Sequence, residues 1–164
     1  MRPRRSRPQK AVGDQGVDNA MSAPPSGGGA PIENRRQLIE YFIAGNKPRA
    51  AWRMGTEHEK FGYRLADHLP LPYEGTASIH AMLSALRDRY GWEPVEEAGK
   101  LIGLQKAGAN VSLEPGGQLE MSGQQCDSLH CANEELQRHK REILEVGNPL
   151  GIRFLGLGIV PNTP

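Results

Sequence analysis

The sequence predicts an α+β domain in which antiparallel strands are joined by tight turns and flanked by helices. Short extended runs between residues 92 and 123 are separated by Ala-Gly, Gly-Ala-Asn and Pro-Gly-Gly, which is typical of successive hairpins. Apolar residues recur at helical spacing on both sides of these runs. A length of 164 residues suits one ordinary domain with a buried core.

Residues 1–31 are predicted to form a disordered tail, and residues 32–164 the folded part. The tail consists mainly of Arg, Pro, Gly, Ser and Ala, so it has little apolar surface to bury. Its basic start also fits an arm for nucleic acids or anionic surfaces, or a transit peptide. Met21 is an alternative initiator, and the sequence leaves the choice between Met1 and Met21 open.

The net charge of +1 argues against a nucleic-acid partner. The sequence contains no apolar run long enough for a signal peptide or a membrane span, so a soluble cytoplasmic protein without a membrane partner is expected. Cys126 and Cys131 are too few and too close for a disulfide framework, and further zinc ligands are missing. They are predicted to be reduced thiols.

Three amphipathic helices are predicted. The first begins near residue 32 and stops at Gly45, the second covers residues 76–90, and the third covers residues 127–146. Their expected apolar stripes are, in order, Leu38, Ile39, Phe42 and Ile43; Ile79, Met82, Leu83, Leu86 and Tyr90; Leu129, Ala132, Leu136, Ile143 and Leu144.

Glu57 and Glu59 lie two residues apart in the extended run from residue 53 to residue 65. Side chains at such spacing project from one strand face, about 6–7 Å apart. Phe61, Tyr63 and Leu65 continue that face and favour its burial. Two carboxylates there repel each other and lose solvation, so either the strand start is exposed or a positive charge compensates them. A solvated strand end is the simpler interpretation.

A second acidic motif is SLEPGGQLEMSG, in which Glu114 closes one strand and Pro-Gly-Gly makes a turn. Gln118 and Glu120 then share one face of the returning strand. Such a hairpin brings Glu114 and Glu120 close together, although an ordinary exposed turn has the same composition. His58 lies on the strand face opposite to Glu57 and is expected to pack. Residues 153–161 are predicted to form a final apolar strand.

Three segments, WRMGTEHEKFGY, IGLQKAGANVSLEPGGQLEMSG and GIRFLGLGIVP, together resemble glutamate–cysteine ligase of the plant and proteobacterial type. The resemblance runs from about Glu33 to Pro164. It implies a curved, mostly antiparallel sheet flanked by helices, as in glutamine synthetase, with the active site in the concave face. It also implies ATP- and Mg²⁺-dependent joining of the glutamate γ-carboxylate to the cysteine amine through γ-glutamyl phosphate, the first step of glutathione synthesis.

The resemblance assigns the Mg²⁺-binding role to Glu57, Glu59, Glu114 and Glu120. Magnesium prefers oxygen ligands at about 2.0–2.1 Å, and converging carboxylates supply them. Further contacts to substrate or phosphate are expected from Arg53, Lys60, Lys106 and Gln118. No catalytic residue is assigned, because the reacting carboxylate and amine belong to the substrates.

Proteins of this type are several hundred residues long, so this chain matches their first third to two-fifths and is expected to be an inactive fragment on its own. Two alternatives stay open: another carboxylate–amine ligase of the same superfamily with a different acceptor, and a truncated non-catalytic product. Metal-dependent hydrolysis is disfavoured because the histidines lack ligand spacing.

Overall fold

A computed structural model describes residues 30–161 and confirms the predicted α+β class. Six antiparallel strands form one sheet in the order β2-β3-β4-β5-β1-β6. The predicted tail lies outside the described residues except for its last two positions. The strands are β1 (Glu57–Arg64), β2 (Glu93–Glu97), β3 (Lys100–Lys106), β4 (Ala109–Glu114), β5 (Gln118–Ser122) and β6 (Ile152–Leu155), and the helices are α1 (Arg35–Ala44), α2 (Ile79–Tyr90) and α3 (Leu129–Leu150).

The strands β2 to β5 form the predicted succession of hairpins. Two-residue turns at Ala98-Gly99 and Ala107-Gly108 join the first three strands, and all four of these residues have positive φ. Positive φ at both turn residues gives the backbone twist that matches two antiparallel strands. Pro115–Gly117 then turns the chain from β4 into β5. The predicted turns at Ala-Gly and Pro-Gly-Gly are therefore confirmed, whereas the second turn lies at Ala107-Gly108, and Ala109 and Asn110 of the predicted Gly-Ala-Asn turn already belong to β4.

The face of the sheet that α2 and α3 cover is called the helix face. Ser78 caps α2 by accepting the N–H of Ala81, so the helix starts at Ile79 rather than at the predicted residue 76, and Gly91 ends it in the left-handed conformation. The buried core consists of Ile79, Met82, Leu83, Leu86, Leu101, Leu104, Val111, Leu119, Ile143, Val146 and Ile152.

Helix α3 differs from its prediction in length and in buried face. Ser128 caps it, within one residue of the predicted start at residue 127, but the helix continues to Leu150 rather than ending near residue 146. The prediction that Leu129 and Leu144 are buried is wrong, because both side chains are exposed. Two polar residues, Glu135 and His139, are buried instead and follow the same helical period as Ala132 and Ile143. The helix face therefore contains charge and hydrogen-bonding groups that apolar periodicity does not reveal.

Helix α1 forms where predicted but is not packed against the sheet. Asn34 and Gln37 make a reciprocal capping box at its start. Its apolar stripe is exposed within the described part of the chain, and no α1 residue is buried there. Local capping, rather than burial, defines this helix. None of the helices in residues 30–161 is long and apolar enough to cross a membrane.

The two cysteines form a disulfide, so the prediction of reduced thiols is wrong. The turn into α3 brings the Cα atoms of Cys126 and Cys131 to 5.7 Å, a separation that a disulfide spans. The backbone N–H and C=O of Cys126 also bond to Met54, just before β1. The disulfide joins Cys126 to the first turn of α3, and the Met54 hydrogen bonds join Cys126 to the segment before β1.

Candidate functional site

Strand register places the four predicted glutamates on one face of the sheet, opposite to the helix face. Glu59 on β1 lies directly across from Glu120 on β5, while Glu57 lies across from Ser122. Glu114 on β4 lies across from Gln118, and Glu120 from Ser112. Directly paired residues share a sheet face, and so do residues two apart. We call this surface, defined by Glu57, Glu59, Glu114 and Glu120, the acidic face.

Burial differs among the four carboxylates. Glu57 and Glu59 are exposed at the start of β1, Glu114 is half-buried, and Glu120 is only 8 % exposed. The hydroxyl of Ser122 donates to Oε1 of Glu120 at 2.6 Å, and the hydroxyl of Ser112 donates to Oε1 of Glu114 at 3.1 Å. Each serine lies two residues from its glutamate on the same strand. These hydroxyls stabilise the two less exposed carboxylates.

The chain after β6 forms one wall of a cleft on this face. The predicted strand over residues 153–161 stops at Leu155, and the backbone then leaves the sheet. A cleft of about 390 Å³ lies between Glu57, Glu59 and Gln118 on one side and residues 156–158 on the other. The side-chain amide of Gln118 donates to the carbonyl of Leu157 at 3.4 Å. Two of the four carboxylates therefore face a cleft of small-molecule size.

The donor chemistry of the acidic face suits a hard divalent cation, because it offers carboxylate oxygens from three adjacent strands. The side chains do not converge, however. Within residues 30–161, no group of three or more His, Cys, Asp or Glu side chains is placed to hold a metal ion. Like charges repel, and two of the carboxylates are turned toward serine hydroxyls. The metal-ligand role of the four glutamates stays a prediction.

Lys60 lies on the helix face rather than on the acidic face. Its side chain is 1 % exposed, and its ammonium donates to the carbonyls of His58 at 3.0 Å and Leu119 at 3.3 Å. Burial lowers the pKa of Lys60 to about 7, against the opposing effect of Glu120 and Glu59. The structure therefore does not place Lys60 for contact with substrate on the acidic face. It is a buried amine beneath the carboxylates, and a pKa of about 7 leaves it only partly protonated at neutral pH.

The other three predicted helper residues lie in different places. Lys106 ends β3 with its ammonium donating to the carbonyl of Tyr90, at the far side of the helix face. Arg53 precedes β1, donates to the carbonyls of Ala50 and Trp52, and lines a separate cavity of about 550 Å³. Of these residues, Gln118 alone shares the acidic face.

Sequence reasoning missed Ser112 and Ser122, although both follow the period of two that marks the acidic face. It also expected the strand face of Phe61, Tyr63 and Leu65 to be the more buried one. In the described part, Phe61 and Tyr63 are half-buried and line an apolar cavity of about 320 Å³. The more deeply buried face of β1 carries Lys60 and Gly62, and His58 packs there as predicted.

Comparison with known proteins gives consistent matches. The family model described as Glutamate-cysteine ligase family 2 (GCS2) matches residues 53–164. "Glutamate--cysteine ligase A, chloroplastic" of Oryza sativa subsp. japonica is 37% identical over 166 residues, covering 98% of this chain and 33% of the relative. "Glutamate--cysteine ligase, chloroplastic" of Medicago truncatula and of Arabidopsis thaliana are each 39% identical over 127 residues, covering 77% of this chain and 24% of the relative.

The chain has an α+β fold with an acidic sheet face, and it matches these ligases along most of its own length. It is therefore a member of a ligase family. The chain belongs to glutamate–cysteine ligase family 2. It spans about a third or less of the length of these curated relatives.

Proposed function

We propose that this chain takes part in the ATP- and Mg²⁺-dependent ligation of the glutamate γ-carboxylate to the cysteine amine through γ-glutamyl phosphate. This is the first step of glutathione synthesis. Its substrates are then glutamate, cysteine and ATP. Family membership supports the proposal, as does the acidic face. The chain spans 33% of the rice relative. The complete ligation reaction is therefore proposed for a longer protein that contains this segment.

The direct pairing of Glu59 with Glu120 carries the proposal. Like charges directly opposite each other on neighbouring strands destabilise a sheet, and hydrophobic or oppositely charged pairs stabilise it. Glu57 adds a third carboxylate two residues away, and Glu114 a fourth on the next strand. The repulsion among these carboxylates destabilises the metal-free sheet. A bound cation would remove that repulsion, which accounts for the clustering of acids on this face.

Glu57, Glu59, Glu114 and Glu120 would hold the Mg²⁺. When bound, Mg²⁺ neutralises phosphate charge and orients the transferred phosphoryl group. To hold the ion, Glu114 and Glu120 would give up their serine hydrogen bonds, and the exposed Glu57 and Glu59 would turn toward the cleft that they line. Gln118 offers an amide beside the carboxylates for orienting a polar substrate.

The finer fold assignment is part of the same proposal. A curved, glutamine-synthetase-like sheet would bind substrates in a concave face, and the face that α2 and α3 leave open suits this role. A cytoplasmic location is likewise proposed from the composition alone, whereas the relatives are named chloroplastic.

A hybrid enzyme tests the function. Residues 53–161 replace the matching segment of the rice relative, and ADP release is measured with ATP, Mg²⁺, glutamate and cysteine. We expect release that requires both amino acids. Because the chain spans 33% of that relative, we expect no turnover from the 164 residues alone.

Glutamine variants in the hybrid test the residues. Glu59→Gln and Glu120→Gln keep the side-chain shape and remove a charged ligand, so we expect turnover to fall at least about tenfold, the effect of losing about 1.4 kcal/mol of transition-state stabilisation. Glu134→Gln, on the exposed side of α3, is the matched control. Normal turnover in single glutamine variants of all four acidic-face residues would contradict the site. Equal turnover with glycine in place of cysteine would favour a ligase with another acceptor.

A further inference from the structure

Helix α1 has an apolar face that is left uncovered within residues 30–161. Four of its large apolar side chains follow the helical period and are 43–73 % exposed. Trp52 is held beside the end of the helix, because its indole N–H donates to the carbonyl of Lys47 at 2.9 Å, and it is also exposed. We call this surface, defined by Leu38, Ile39, Phe42, Ile43 and Trp52, the α1 surface. The proposed ligation on the acidic face makes no use of it.

The α1 surface has the properties of a docking surface. A helix of ten residues is marginally stable in water on its own, and most helical stability in proteins comes from packing of an apolar face. The capping box of Asn34 and Gln37 satisfies backbone donors at the start of α1 but buries no apolar side chain. Contiguous exposed apolar side chains of this kind mark interaction sites. A partner that covers the α1 surface would therefore stabilise the helix.

A cavity beside the α1 surface indicates the charge of that partner. It has a volume of about 550 Å³, and its described lining includes Lys47 and Arg53 but no acidic residue. Neither cation forms an ion pair within residues 30–161, and Arg53 uses only Nη1 for its two carbonyl contacts. Complementary charge favours a partner that combines an apolar face with an acidic side chain.

Three other occupants match the α1 surface less well. Residues 1–29 contain only two valines and two methionines as large apolar residues, and they carry more cations than acids. A second copy of this chain would bring the same basic groups to the contact, where they repel. A lipid surface matches the apolar residues and the cations, but it does not fill a concave cavity.

The length of the relatives points to the occupant. The match to the rice relative covers 98% of this chain and therefore includes α1, yet it covers only 33% of the relative. We propose that the α1 surface docks a segment of the longer ligase that lies outside the matched stretch. In this contact an apolar face packs on Phe42 and Ile43, and an acidic side chain pairs with Lys47 and Arg53. The proposal rests on family membership and not on the proposed reaction.

Hydrogen exchange followed by mass spectrometry tests the docking. A hybrid in which residues 30–161 replace the matching segment of the rice relative is compared with the 164-residue chain. The amides of residues 39–44 should exchange at least about tenfold more slowly in the hybrid, because docking suppresses local opening of α1. The intact rice relative is measured in parallel, and its segment aligned with α1 should also be protected. Rapid exchange of that segment in the intact relative, or equal rates in the hybrid and the chain, would overturn the proposal.

The same assay on the 164-residue chain alone distinguishes the other occupants. Exchange is measured at low and high protein concentration, and with vesicles of phosphatidylcholine and phosphatidylserine. The rates of residues 39–44 should stay unchanged in all of these conditions. Slower exchange at high concentration would identify a second copy as the occupant, and slower exchange with vesicles would identify a lipid surface. Either result would overturn the proposal.

Single variants locate the contact. Phe42→Ser should lower the Tm of the hybrid by about 3 °C or more, because the side chain is buried there, and should change the Tm of the chain alone by less than about 1 °C. Ala44→Ser, on the opposite face of α1, is the matched control and should leave both values unchanged. Lys47→Gln should speed exchange of residues 39–44 in the hybrid only. Equal effects of Phe42→Ser in the hybrid and the chain would contradict the docking. None of these measurements depends on ADP release, so failure of the docking and failure of the proposed ligation are distinguishable.

Discussion

Replacing Glu59 by glutamine removes one of two negative charges that face each other across β1 and β5. Directly opposed side chains have Cβ atoms about 5 Å apart. Two unit charges at about 5 Å repel by about 0.8 kcal/mol in bulk water and about 3 kcal/mol at an effective dielectric constant of about 20. Glu59 is exposed, so the lower value applies. The attraction between Glu59 and Lys60 is lost in the same variant and reduces the gain. We expect Glu59→Gln to stabilise the metal-free chain by up to about 0.8 kcal/mol, which raises the Tm by up to about 3 °C.

Thermal unfolding in EDTA and in saturating Mg²⁺ measures this effect. The gain should be present in EDTA and should shrink in Mg²⁺, since a bound cation removes the repulsion in the unsubstituted chain. Glu57→Gln is a matched control, because it removes the same charge from the same strand face but lies opposite Ser122. Its gain should be smaller. A lower Tm for Glu59→Gln in EDTA, or equal gains for both variants, would refute the assumed repulsion between Glu59 and Glu120.

Three further predictions concern the helix face and its links. The pKa of His139 falls from 6.5 to about 2 on folding, so the unfolded state takes up the proton first, and stability is lost as pH falls below 6.5. From pH 6.5 to 5.0 this loss is about 1.6 kcal/mol. In urea unfolding, His139→Phe should lack this loss, and a His130→Phe control should keep it. Replacing Cys126 and Cys131 by serine should lower the free energy of unfolding by about 2 kcal/mol, the chain-entropy value for a loop of this size; an unchanged value in urea unfolding would show that the disulfide does not stabilise the fold. A Cβ added at Gly123 would clash with the Glu135 carboxylate, so Gly123→Ala should lower stability by about 1–3 kcal/mol in the same assay, and a neutral result would mean that Glu135 moves freely.

Local signals predicted much of the fold. The pairs Ala98-Gly99 and Ala107-Gly108 adopt the positive φ values that two-residue hairpins require, so turn chemistry located β2, β3 and β4. Ser78 and Ser128 cap α2 and α3 at the positions where their apolar periodicity begins. The buried face of α3 was harder to predict, because Glu135 and His139 occupy core positions that a hydrophobic pattern assigns to leucines.

Non-local contacts account for what the sequence did not reveal about the site. Alternation along each strand predicted that Glu57 and Glu59 share a face, and that Gln118 and Glu120 do. Their union into one acidic face depends on β1 inserting between β5 and β6, a pairing between distant segments. The resemblance implied substrate or phosphate contacts for Lys60 and Lys106, but strand parity turns both toward the helix face. Charge alone does not tell which face of a strand a residue occupies.

Mg²⁺ binding to the 164-residue chain, measured by isothermal titration calorimetry, tests the central claim most directly. Four single variants are compared, Glu57→Gln, Glu59→Gln, Glu114→Gln and Glu120→Gln, with Glu134→Gln as the control on α3 and circular dichroism as the check of folding. We predict saturable binding by the unsubstituted chain and the control, and an affinity at least about tenfold lower in each of the four variants, as expected for the loss of a charged ligand. Absence of binding in the unsubstituted chain, or equal affinity in all five variants, would contradict the assignment of the acidic face as the metal site.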